Sequence, residues 1–148
     1  MPIPALNNDG FLPPGVFNCT LPELRERFGK FQGTDHRSRL FVRLEELFQT
    51  MLRSELFEVL LVDGSFVTAK LAPNDIDIVA LLLPGHDFER DLPMSEYALV
   101  SRSMLRRRFG FDVLIAERDS HLYNTYVEFF SRVRDNPDMR KGLLRVNL

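Results

Sequence analysis

Apolar residues in this chain fall into two rhythms, one helical and one of strands. From Gly33-Thr34-Asp35 onward, Leu40, Leu44, Leu47 and Met51, flanked by Phe41, Phe48 and Leu52, recur at three- and four-residue intervals. That spacing predicts a helix to about residue 55, its solvated side carrying Arg43, Glu45, Glu46, Gln49 and Arg53. Ahead of it, Thr20-Leu21-Pro22-Glu23 is a capping box with proline in the first turn, opening a short helix over 21–28 that Gly29 can end. Helical patterns recur over 95–108 and over about 120–134, the latter with Leu122, Tyr126, Phe129, Phe130 and Val133 as its apolar side. Asp135-Asn136-Pro137-Asp138 breaks that helix.

Strand-like runs cover 57–62, 75–83 and 111–116, and 143–148 suits a last strand closing against a sheet edge. The segment 65–71 stays open. Asp63-Gly64 with alternating Phe66, Thr68 and Lys70 favours a hairpin on local propensity, whereas the wider pattern favours a short helix presented by Gly64-Ser65. Residues 1–19 are rich in Pro, Gly and Asn, carry no period, and are expected to form an extended arm before a single domain over 20–148. The expected class is α/β (α+β), a small mixed sheet with helices mainly on one face.

Composition narrows this picture. The 148 residues suffice for one core, and a formal net charge of −2 argues against bulk nucleic-acid binding. One cysteine, Cys19, rules out an internal disulfide and suits a reducing cytoplasm. The N-terminus lacks the basic start and apolar core of a signal peptide, and no apolar run approaches the ~20 residues that cross a bilayer. The expectation is a soluble, cytoplasmic protein.

The chemistry gathers in one stretch. Asp75 and Asp77 alternate with isoleucine in a run that otherwise reads as a buried strand, where aspartate is disfavoured. Residues two apart on a strand share a face at roughly 6–7 Å, so these carboxylates repel unless a cation lies between them. A hard divalent cation such as Mg²⁺ (or Mn²⁺) answers that need. Asp112 is a third acid planted in an apolar strand, able to converge with the pair if the strands are neighbours. Gly64-Ser65 adds a compact turn with a hydroxyl and N–H groups suited to phosphate.

An apolar residue and Gly-Ser, about ten further residues, Asp-x-Asp in a strand, and a third Asp one strand later resemble the signature of the DNA polymerase β-like nucleotidyltransferases. Val62, Gly64-Ser65, Asp75-Ile76-Asp77 and Asp112 carry that resemblance, which covers about residues 40–116. More narrowly, the chain is similar to a small bacterial group with a Val-Asp-Gly-Ser-Phe-Val-Thr and Asn-Asp-Ile-Asp core. The resemblance implies transfer of a nucleoside monophosphate from an NTP. Asp75 and Asp77 would hold divalent metal, Asp112 would join the metal nearer the acceptor, and Gly64 and Ser65 would hold the leaving phosphates. The acceptor is open among an RNA end, a protein side chain and a small molecule, and minimal members often serve toxin–antitoxin or defence modules. Little of the chain remains for an acceptor domain, so a protein partner or second copy is expected to complete that half. The alternative is a non-catalytic nucleotide- or partner-binding, antitoxin-like module, with the arm as a clasp on another chain.

Other polar residues carry bland expectations. Arg102, Arg106, Arg107 and Arg108 end a helix, where cations suit the dipole and reach into water, and Lys70 is expected to be solvated. Arg140, Lys141 and Arg145 form a mild basic patch. His36, His86 and His121 lack zinc-site spacing, and Cys19 has no histidine nearby in sequence to make it a nucleophile.

Overall fold

A computed structural model describes residues 3–148. Its centre is a five-stranded mixed sheet in the order β1-β7-β2-β3-β4. The strands are β1 (Val16–Cys19), β2 (Phe57–Asp63), β3 (Asp77–Leu82), β4 (Asp112–Glu117) and β7 (Leu143–Asn147). β2 is antiparallel to both neighbours, while β1–β7 and β3–β4 are parallel. The α+β class with a small mixed sheet is thus the observed architecture. The last strand does not close an edge as expected. It lies between β1 and β2, where Leu143, Leu144 and Val146 are buried.

The arm supplies the edge instead. β1 pairs along β7, Ile3 and Leu12 are buried, and Arg27 donates to the carbonyls of Ile3 and Pro4. The described part of the arm therefore packs on its own domain; Met1 and Pro2 lie outside the described residues.

Helix α1 (Leu21–Phe28) begins at Thr20, whose hydroxyl accepts from the Glu23 N–H and donates to the Glu23 carboxylate. Helix α2 (His36–Ser54) buries Leu40, Phe41, Leu44, Leu47 and Met51, the expected stripe, but leaves Leu52 exposed. The stretch 95–108 is not one helix. It splits into α3 (Met94–Tyr97) and α4 (Arg102–Phe109), because Ser101 turns out of the helix and caps α4 through the Met104 N–H. α1, α2 and α4 all pack on one sheet face, against Leu60, Val62, Ile78 and Ala80.

Helix α5 (His121–Ser131) covers the other face, and its inward side is Tyr123, Tyr126, Val127 and Phe130. Leu122 and Phe129, expected inside, are exposed. The apolar stripe of this helix is wider than the part the sheet covers, and the sheet takes the side of Tyr123 and Val127 and leaves that of Leu122 and Phe129 outside. It ends three residues earlier than expected, in a hairpin of β5 (Arg132–Val133) and β6 (Asn136–Arg140) that turns at Asp135 with φ +68°.

Candidate functional site

Three aspartates meet at one end of the sheet through register alone. Asp63 at the end of β2 pairs with Asp77 at the start of β3, which pairs with Asp112 at the start of β4. Directly paired residues point to the same side. By strand alternation all three share the face of Val79 and Leu81, the α5 side. The expected neighbouring of the Asp77 and Asp112 strands is observed. Asp75 lies just before β3 rather than within it, since the strand begins at Asp77 and not at residue 75.

The segment 65–71 resolves against the hairpin. Ser65–Val67 forms a single 3-10 turn, with Gly64 ahead of it at φ +89°. A side chain at Gly64 would stand 3.0 Å from the Asp77 nitrogen and 3.3 Å from the Asp75 carbonyl. Only glycine brings the β2 end this close to the Asp75–Asp77 segment. Ser65 is tied to Asp75: its hydroxyl donates to Asp75 Oδ1 at 2.7 Å and its N–H to the same oxygen at 3.3 Å. The Phe66 N–H donates to the Asp75 carbonyl. The Ser65 donors expected to be open to phosphate are thus filled by the chain's own carboxylate.

Beneath this segment lies Arg37, fully buried in the first turn of α2. It donates to the carbonyls of Phe66, Thr68 and Lys70, the middle one at 2.7 Å, and its guanidinium sits 5.7 and 5.8 Å from the Phe28 and Phe66 rings. No carboxylate pairs with it among the described residues. Its signal in the sequence was position, because Arg37 falls on the same stripe as Leu40, Phe41 and Leu44.

A cavity of about 880 Å³ opens over Asp63, Gly64, Ser65, Asp75 and Asp77. Its opposite wall comes from the β5–β6 hairpin and the link to β7, which bring Arg132, Arg134 and Lys141, and Lys70 also lines it. Asp63 is 2% exposed; Lys141 Nζ stands 3.2 Å from its Oδ2, and neither carboxylate oxygen has a well-formed hydrogen bond. Burial pushes the Asp63 carboxyl up to about 7, against the pull of Lys141. Burial also raises Asp77, helped by Asp75 and Asp112 and opposed by Lys141 and Arg134.

Asp112 stands apart from this cavity. Its Oδ1 meets Arg106 at 2.8 Å and Arg102 at 3.6 Å, in a second hollow with Ser101 and Ser103. Two of the arginines expected merely to be solvated therefore hold the third acid. Among the described residues, no three His, Cys, Asp or Glu side chains are gathered closely enough to form a ready metal cage. The donors that suit a hard cation are Asp75 and Asp77, the second of which is raised first by burial and then by the Asp75 charge.

Fold and site together define an α+β protein with a mixed acid-and-base cleft at one end of its sheet. The chain belongs to a family described as a family of unknown function (DUF6932), which matches residues 4–147. No curated protein and no solved structure matches it. Among the described residues no helix is long and apolar enough to cross a membrane.

Proposed function

We propose that this chain is a metal-dependent nucleotidyltransferase that moves a nucleoside monophosphate from an NTP to an acceptor hydroxyl. The observation that carries the reading is the meeting of three distant segments at one end of the sheet: Gly64-Ser65 against Asp75, and Asp77 in register with Asp112. Asp75 and Asp77 would hold Mg²⁺ or Mn²⁺, which when bound supplies charge to the reacting phosphate. Ser65 orients Asp75 through two hydrogen bonds, so the carboxylate is fixed before any ligand arrives. Arg134 and Lys70 offer positive charge to phosphate oxygens across the cleft. Asp112, on the adjoining strand and held there by Arg106 and Arg102, would serve the acceptor side of the transfer. Cytoplasmic residence belongs to this proposal, consistent with the free, buried Cys19.

One observation favours a second reading. Asp112 is engaged by two arginines and Ser65 by Asp75, which suits a module that binds nucleotide without transferring it. Two experiments separate the readings. Thermal stability with ATP, CTP, GTP or UTP plus Mn²⁺ rises by mass action if the site binds, and the Asp75→Asn, Asp77→Asn double variant loses that rise. A variant that keeps it sinks the metal site. α-Labelled nucleotide in cell extract then reports transfer to RNA, protein or small molecule; binding with no labelled product from any nucleotide selects the second reading.

A further inference from the structure

The basic residues near the C-terminus do not stay together as a surface patch. Arg140 turns towards Glu128, Arg145 enters β7, and Lys141 alone goes down into the cleft. Its backbone is pinned on both sides of the side chain. The Lys141 N–H donates to the Ser131 carbonyl at 2.8 Å, and the next N–H, of Gly142, to the Leu12 carbonyl at 3.0 Å. Gly142 has no room for a side chain, since a Cβ there would stand 2.2 Å from the Pro13 carbonyl oxygen. The lysine is therefore delivered to the cleft by the fold and not by its own flexibility.

What it meets there is Asp63, a nearly fully buried acid whose oxygens make no well-formed hydrogen bond and which lines the same cavity. A buried carboxylate left unpaired is costly, so Asp63 holds the ammonium in place. The ion pair with Asp63 leaves the ammonium with donors to spare, because lysine carries three. The cleft is lined by five acids, Asp9, Asp63, Asp75, Asp77 and Asp135, and four bases, Lys70, Arg132, Arg134 and Lys141. A divalent cation on Asp75 and Asp77 would cancel that pair and leave the four bases in excess of the other acids, so metal and bases together offer counter-charge to an anionic ligand such as a polyphosphate.

We propose that Lys141, held by Asp63, binds the phosphates of a polyphosphate ligand beside Asp75 and Asp77. This rests on the metal-and-nucleotide reading above and assigns its anion half to a residue outside the motif that suggested it.

Inorganic tripolyphosphate with Mn²⁺, titrated calorimetrically at pH 8 against the full chain, tests the assignment, with Mn²⁺ binding followed separately by electron paramagnetic resonance. Lys141→Met is expected to weaken tripolyphosphate more than tenfold while Mn²⁺ still binds, and Lys141→Arg to restore most of the loss. Lys141→Met also leaves Asp63 unpaired and can unfold the chain. The Asp63→Asn, Lys141→Met double variant removes that burden, and is expected to recover thermal stability without recovering tripolyphosphate. Tripolyphosphate binding within twofold of wild type in a folded double variant overturns the role of Lys141 and leaves the metal site standing. Absence of both Mn²⁺ and tripolyphosphate binding in the wild type overturns the nucleotide reading and this inference with it.

Discussion

At the scale of single residues, Asp63 and Arg37 are the two groups whose burial is hardest to reconcile with their charge. Asp63 titrates near 7 in the fold, above the ordinary carboxyl value of 3.8 that the unfolded chain keeps. Between those values the folded state holds a proton that the unfolded state has lost, so stability falls as pH rises through that window. The group's contribution is fully present below about pH 4 and is lost by the time pH has passed about 7. In metal-free buffer with chelator, urea midpoints from pH 4.5 to 8 should decline, and Asp63→Asn should flatten the decline. An equal slope in the variant would place the linkage elsewhere, with Asp77 the next candidate. Arg37 acts the other way, as a buried donor to the carbonyls of Phe66, Thr68 and Lys70. Arg37→Met strands those oxygens and should cost about 3–5 kcal/mol, with Arg37→Lys recovering part of it. Unfolding free energies within about 1 kcal/mol of wild type would show that the loop holds itself. Asp75, Asp77 and Asp112 were legible in the sequence because an acid in an apolar strand contradicts its surroundings. Asp63 hid at a strand end beside a turn signal, and Lys141 and Arg37 hid because their partners lie far away along the chain.

At the scale of elements, periodicity located α1, α2, β2, β3 and β4 to within a few residues, since each buries one consistent face. It failed where a tertiary partner decides. Ser101 divides α3 from α4 because its hydroxyl can cap, α5 turns by one position to match the sheet, and β7 is interior because β1 pairs beyond it. The junction before β7 is the tightest of these. Gly142 lies between Leu12, whose carbonyl takes its N–H, and Pro13, whose carbonyl oxygen would stand 2.2 Å from a Cβ. The obstacle is backbone, so it cannot rotate away as a side chain would. Gly142→Ala should therefore cost about 1–3 kcal/mol by forcing β1 and β7 apart. Equilibrium urea unfolding checks the cost. Hydrogen exchange at Leu143 N–H, bonded to the Gly15 carbonyl, should quicken in the same variant.

At the scale of the whole molecule, the question is whether the first nineteen residues belong to this fold or to a partner. As a clasp for another chain they would leave the domain intact when removed. The contacts argue that they are structural. β1 satisfies one edge of β7, Leu12 and Ile3 sit in the main core, and the Gly10 carbonyl takes the Ala69 N–H in the segment that follows Ser65. Asp9, Gly10 and Phe11 also line the cleft, so the arm closes one side of the proposed ligand site. Deleting residues 1–19 would uncover part of the main core, bare an edge of β7 that invites pairing with other chains, and open the cavity. Burial of Leu12 and Ile3 alone is worth roughly 1.5–3 kcal/mol each, a large share of what a domain this size has to spare. The truncated chain should unfold at a clearly lower urea concentration and associate through its new edge, seen as larger species in light scattering. A truncated monomer with an unchanged midpoint would return the arm to the role of clasp. Such a result would also make an intermolecular partner the natural third wall of the cleft.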